Sequence, residues 1–82
     1  MIFKAKFKNT KGLHGAAYFI CNGAYDLVFA LSSDPDIFFW GFEIITWEEA
    51  GNGNLPIFDA AQYRQESEYQ QHDRLKLSEL CG

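Results

Sequence analysis

The chain has 82 residues, a net charge of −4 and 17% aromatic side chains, enough for one domain spanning residues 1–82 whose small core must come largely from its rings. The acidic balance argues against direct nucleic-acid binding, and no apolar run approaches the ~20 residues of a membrane-spanning helix. Two cysteines, Cys21 and Cys81, make no disulfide framework, and the start MIFKAKFKNTKG lacks the apolar core of a signal peptide, so a cytoplasmic setting is expected.

Residues 2–8 alternate strictly, with Phe3, Ala5 and Phe7 on one side and Lys4, Lys6 and Lys8 on the other, which predicts a half-buried strand. A row of lysines is what an exposed edge strand uses to discourage unwanted pairing, and an edge position is expected. The lysines lack the larger basic surface that phosphate binding needs. A polar turn at residues 9–12 leads to a second strand over residues 16–21. Asn22-Gly23 then reads as a hairpin turn, because both central positions of a type I′ turn need positive φ. Residues 25–31, YDLVFAL, return as a third strand, and SSDPD at 32–36 is a turn or a helix cap.

The stretch IFFWGFEIITW, residues 37–47, is the most apolar in the chain, with Glu43 and Thr46 as its polar members. Aromatic and β-branched residues suit a pleated surface, so a strand is favoured, with Trp40 and Trp47 on opposite faces. A helix over residues 35–50 is the rival reading: Asp34 could cap it with Pro35 in its first turn, and Gly41 speaks against it. Thr46 and Glu49 also have the spacing of a capping box for a short turn that begins later.

Residues 48–56, EEAGNGNLP, read as a flexible loop. Straight-chain residues from Asp59 onward predict a C-terminal helix with Asp59 as its cap. Its apolar side is thin, comprising Phe58, Ala61, Tyr63, Tyr69, Leu77 and Leu80, and residues 74–78 either finish the helix or add a strand. The expected fold is therefore α+β: a small antiparallel sheet of three to five strands, arranged as a meander with an Asn22-Gly23 hairpin, and one C-terminal helix packed on a face.

Chemical signatures are weak. Cys21 with His14 or His72 could pair thiolate and base, but no orienting partner follows in the sequence. His14, Cys21, His72 and Cys81 lack the short paired spacings of a zinc site, and no cofactor motif is present. Glu43, Glu48 and Glu49 read as solvated acids rather than as a catalytic pair.

Charge layout is more informative. Residues 12–63 hold no lysine or arginine, while Asp26, Asp34, Asp36, Glu43, Glu48, Glu49 and Asp59 lie within them. Such a segment attracts a basic partner. The expectation is a non-enzymatic acidic protein-binding module, of the mobile-element or phage-inhibitor type, that occupies a basic, nucleic-acid-binding surface of a host protein complex. Its contact residues would be Asp34, Asp36, Glu43, Trp47, Glu48 and Glu49. The alternatives are a homo-oligomeric assembly subunit, its two-faced apolar strand covered by a second copy, and a small enzyme or ligand-binding subunit with a site at a dimer interface.

Overall fold

The computed structural model describes residues 1–63 and 77–82. Four strands form one sheet: β1 (Ile2–Asn9), β2 (His14–Ile20), β3 (Ile37–Ile45) and β4 (Ile57–Asp59), in the spatial order β3-β1-β2-β4. Two α-helices, α1 (Ala24–Ser32) and α2 (Trp47–Asn52), connect them, and Leu77–Leu80 form a 3-10 turn. The sheet is mixed: β1 pairs antiparallel with β2 and β3, and β4 runs parallel to β2. The fold is thus α+β, but not the expected all-antiparallel meander.

The hairpin is β1–β2, and Asn9 organises its turn. Its side-chain Oδ1 accepts from the Lys11 and Leu13 amides at 2.9 and 3.1 Å, and its Nδ2 donates to the Ser78 carbonyl at 3.2 Å. Gly12, at φ 81°, supplies the left-handed residue that closes the turn.

Asn22-Gly23 does not make a hairpin, and residues 25–31 are not a strand. Gly23 is the N-cap of α1, and the Asp26 carboxylate reaches back to accept from the Asn22 amide at 2.9 Å. Leu27, Ala30 and Leu31 are buried at helical spacing. The topology requires a crossover here. Because β2 and β3 are both antiparallel to β1, they run in the same direction, and the chain between them must traverse the sheet. Helix α1 does so across one face, burying Phe3, Ala5, Phe7, Ala17 and Phe19 beneath it with Tyr63 and Leu77.

The chain must cross again between β3 and β4, this time over the opposite face. The predicted loop at 48–56 is therefore largely α2. Thr46 caps it, accepting from the Glu49 amide at 3.0 Å, as the capping-box spacing suggested. Ala50 packs with Ile2 and Tyr18, and Ile20, Ile45 and Leu55 complete this second, smaller core. The chain leaves β3 and enters β4 at the same end of the sheet, so α2 covers only that end. Gly53 lies so close to Tyr18 that a Cβ there would overlap the phenol ring.

Asp59 caps the helical residues 60–63, accepting from the Gln62 amide at 3.2 Å. It is Ala60 and Tyr63 that are buried there, while Ala61 is exposed. The rest of the predicted C-terminal helix, including Tyr69 and His72, and residues 74–76 of the tail lie outside the described residues.

Candidate functional site

Strand β1 is central, not an edge. Its lysines therefore do not protect an edge; they stand on the face of the sheet opposite α1. Among the described residues the edges are β4, three residues long, and β3, the strand with the most apolar sequence. Edge strands carry unpaired backbone donors and acceptors and are normally short or charged. At nine residues, β3 is neither short nor heavily charged: Phe38, Trp40, Phe42 and Ile44 are all exposed, Ile44 to 62%.

A bulge decides which way these side chains point. Lys6 is opposite Gly41 and Phe7 is opposite Phe39, leaving Trp40 as the extra residue on β3. Before the bulge, Ile37 and Phe39 share the α1 face with Phe7 and Asn9. After it, Phe42 and Ile44 lie on that face beside Ala5 and Phe3, and the Phe42 ring meets Phe3 edge-on at 5.8 Å. Glu43 is thereby moved to the lysine face, opposite Lys4. Simple alternation through residues 37–47 would have placed Glu43 with Ile37 and Phe39.

Trp40 also belongs to the lysine face. Its ring lies 5.9 Å from that of His14, nearly perpendicular to it, and the Lys6 ammonium sits 5.7 Å from its centroid, within cation-π range. Beside it, Lys4, Lys6, Gly41, Phe42 and Glu43 complete an open cleft of about 170 Å³.

Trp47 is not on the strand. It is the first residue of α2 and 59% exposed, followed by exposed Glu48 and Glu49. Carboxylates in a first helical turn face the positive end of the helix dipole, which suits them locally. Together with Glu43 they make an anionic ledge with an indole at the end of the sheet that α2 covers.

The six expected contact residues do not form one surface. Asp34 is only 6% exposed: its Oδ2 accepts from the Tyr63 hydroxyl at 2.5 Å and its Oδ1 from the Asp36 amide at 2.9 Å. It serves the α1–β3 turn. Asp36 is exposed but precedes Ile37, and the eight steps from there to Ile45 span about 27 Å at ordinary strand rise. Glu43, Trp47, Glu48 and Glu49 remain together. The exposed apolar edge beside them follows from strand order, which local patterning does not contain; its residues were visible only as an apolar run.

The thiols are held in quiet surroundings. Burial pushes both Cys21 and Cys81 above the ordinary thiol value of 9.0. Cys21 lies 3.8 Å from the Phe19 carbonyl and Cys81 lies 3.7 Å from that of Leu77. Among the described residues no group of three or more His, Cys, Asp or Glu side chains is placed to hold a metal ion, and no helix is long and apolar enough to cross a membrane. No family model matches the sequence, no curated protein matches it, and no solved structure matches its fold.

Proposed function

We propose that the chain is a non-enzymatic protein-binding module that works through the β3 edge and the start of α2. The observation that carries this reading is a long apolar strand with no neighbour on its outer side among the described residues, which runs directly into an anionic ledge carrying an exposed tryptophan. An edge of this kind can accept an extended segment of a partner by main-chain hydrogen bonds. Ile44, Phe42 and Trp47 supply apolar anchors, and tryptophan is among the residues that dominate binding energy at interfaces. Glu43, Glu48 and Glu49 select a partner with lysines or arginines around an apolar centre. A protein surface that handles nucleic acid has that character, so the chain would act as an inhibitor that takes the place of phosphate charge.

The test is capture of partners from a lysate of the native cell on immobilised chain, with bound proteins identified by mass. The reading expects one stoichiometric nucleic-acid-binding protein, released by rising salt, displaced by competing nucleic acid, and lost from a Trp47→Ala, Glu48→Gln, Glu49→Gln variant. Capture that neither salt nor this variant changes would overturn it. The same exposed edge favours a second reading, a homo-oligomeric assembly subunit formed by apolar pairing of edges. That reading expects only the chain itself to be recovered, indifferent to salt.

A further inference from the structure

The lysine face has two unlike ends. At the Ile2 end α2 stands on the sheet and raises the surface by roughly the 10 Å diameter of a helix. It presents exposed Trp47, Glu48 and Glu49. At the Lys8 end no described element stands on this face. There Lys6, Lys8 and His14 are exposed, with Phe38 and Trp40 beside them, the latter 57% exposed, and Lys11 on the adjoining turn. The edge-strand explanation for these lysines fails because β1 is central. Among the described residues two exposed carboxylates also lie toward this end: Asp36, and Glu79 on the 3-10 turn that the Asn9 side chain holds.

From Ile2 to Lys8 is about 20 Å at ordinary strand rise, and Lys4 and Glu43 sit opposite each other about a third of the way along, beside the end that α2 covers. The face therefore has an anionic ledge with an indole at one end and a cationic step with an indole at the other. We infer that this face docks a second copy of the chain about a two-fold axis that lies between the two facing sheets, parallel to them and across their strands, at about the level of Ala5. The rotation places each ledge in the partner's step, Glu48 and Glu49 against Lys6 and Lys8, and covers the aromatic residues of both. A two-fold interface must be self-complementary, and here relief and charge sign reverse together across the same axis.

The main rival occupant is a single-stranded nucleic acid, whose phosphates and bases would suit lysines around a tryptophan. The net charge of −4 and the anionic ledge on the same face disfavour a long polyanion. They are what a second copy requires. Pairing of this kind weakens with salt, unlike apolar pairing of the β3 edges, and it would occupy the ledge that a basic partner needs. It does not rest on the proposed inhibitor role, since it is measured on purified chain alone.

The experiment is sedimentation equilibrium at about 0.01 M and about 1 M ionic strength, where the screening length falls from about 30 Å to about 3 Å. The expected mass is twice the 9.4 kDa chain at low salt and a single chain at high salt. A Lys6→Glu, Lys8→Glu variant and a Glu48→Lys, Glu49→Lys variant should each be monomeric at low salt, with unchanged circular dichroism showing that they fold. Mixing them should restore a dimer, because both junctions of the mixed pair are again of opposite sign. A monomer at low salt, a dimer that charge reversal leaves intact, or two folded variants that fail to rescue each other would overturn the proposal. So would a monomer that binds a fluorescent oligothymidylate through Lys6 and Lys8, which would assign the step to nucleic acid.

Discussion

Removing the Tyr63 hydroxyl breaks a bond that ties residue 63, just after β4, to the α1–β3 turn. Tyr63 is 1% exposed, and its hydroxyl donates to Asp34 Oδ2 at 2.5 Å across 29 residues of sequence. In Tyr63→Phe the ring keeps its edge-on contacts with Phe19 and Phe58, at 5.8 and 5.7 Å, so the packing loss is small. What changes is that a buried carboxylate oxygen loses its donor. Hydrogen bonds to charged groups contribute about 1.5–3 kcal/mol, and a buried acceptor left without its partner costs a similar amount. For a domain of this size about 1 kcal/mol shifts the melting temperature by about 4–8 °C, so thermal unfolding followed by circular dichroism should fall by roughly 6–24 °C. Asp34→Asn keeps an acceptor and should cost less. The two changes combined should be less than additive, since they touch one bond. A melting temperature for Tyr63→Phe within about 2 °C of the parent, below even 1 kcal/mol on that scale, would refute the argument.

Two neighbouring glycines should respond in opposite directions to alanine. At Gly53 the backbone is ordinary (φ −84°, ψ 167°) and the constraint is space, so Gly53→Ala, pressing on Tyr18, should destabilise by about 1–3 kcal/mol in urea unfolding. Gly51 is helical with nothing near its missing Cβ, and Gly51→Ala should stabilise by up to about 1 kcal/mol; a loss there would show that α2 does not form. The thiols give a pH test. Their folded pKa values lie above 9.0, so the folded chain retains these protons where the unfolded chain releases them. Their stabilising contribution is therefore complete below that value and is lost as pH rises through the raised folded values. Alkylation of the native chain should be slow at neutral pH, with a midpoint above 9.0, and should accelerate on denaturation; rapid native labelling near neutrality would contradict the burial.

What the sequence shows of this fold is whatever depends on near neighbours. The alternation of Phe3, Ala5 and Phe7 with Lys4, Lys6 and Lys8 marks β1, the aromatic and β-branched run marks β3, and Asp59 announces the helical residues that follow it, whereas Thr46 and Glu49 carry a capping spacing ahead of residues that otherwise read as a loop. Residues 24–32 mislead because Asn22-Gly23 is a strong local hairpin signal and Tyr25, Val28 and Phe29 favour strands. The countersignals are weaker: Asp26 three residues after Gly23, and Leu27, Ala30 and Leu31 at helical spacing. The decisive reason for a helix there, that two parallel strands flank β1, is a property of the whole sheet. Strand order also hides the site. Whether the lysines of β1 lie at an edge or a centre, whether β3 is open, and which face Glu43 takes after the bulge at Trp40 all depend on partners distant in sequence. Asp34 reads as a surface acid for the same reason, its donor Tyr63 lying 29 residues away.

Amide hydrogen exchange of the chain, free and in complex with the partner it captures, tests the central claim most directly. Binding should slow exchange across residues 37–49, along the outer edge of β3 and into α2, while α1 is unchanged. Protection confined to α1, or a complex that leaves residues 37–49 as fast as in the free chain, would show that the open edge and its anionic ledge are not where this protein binds.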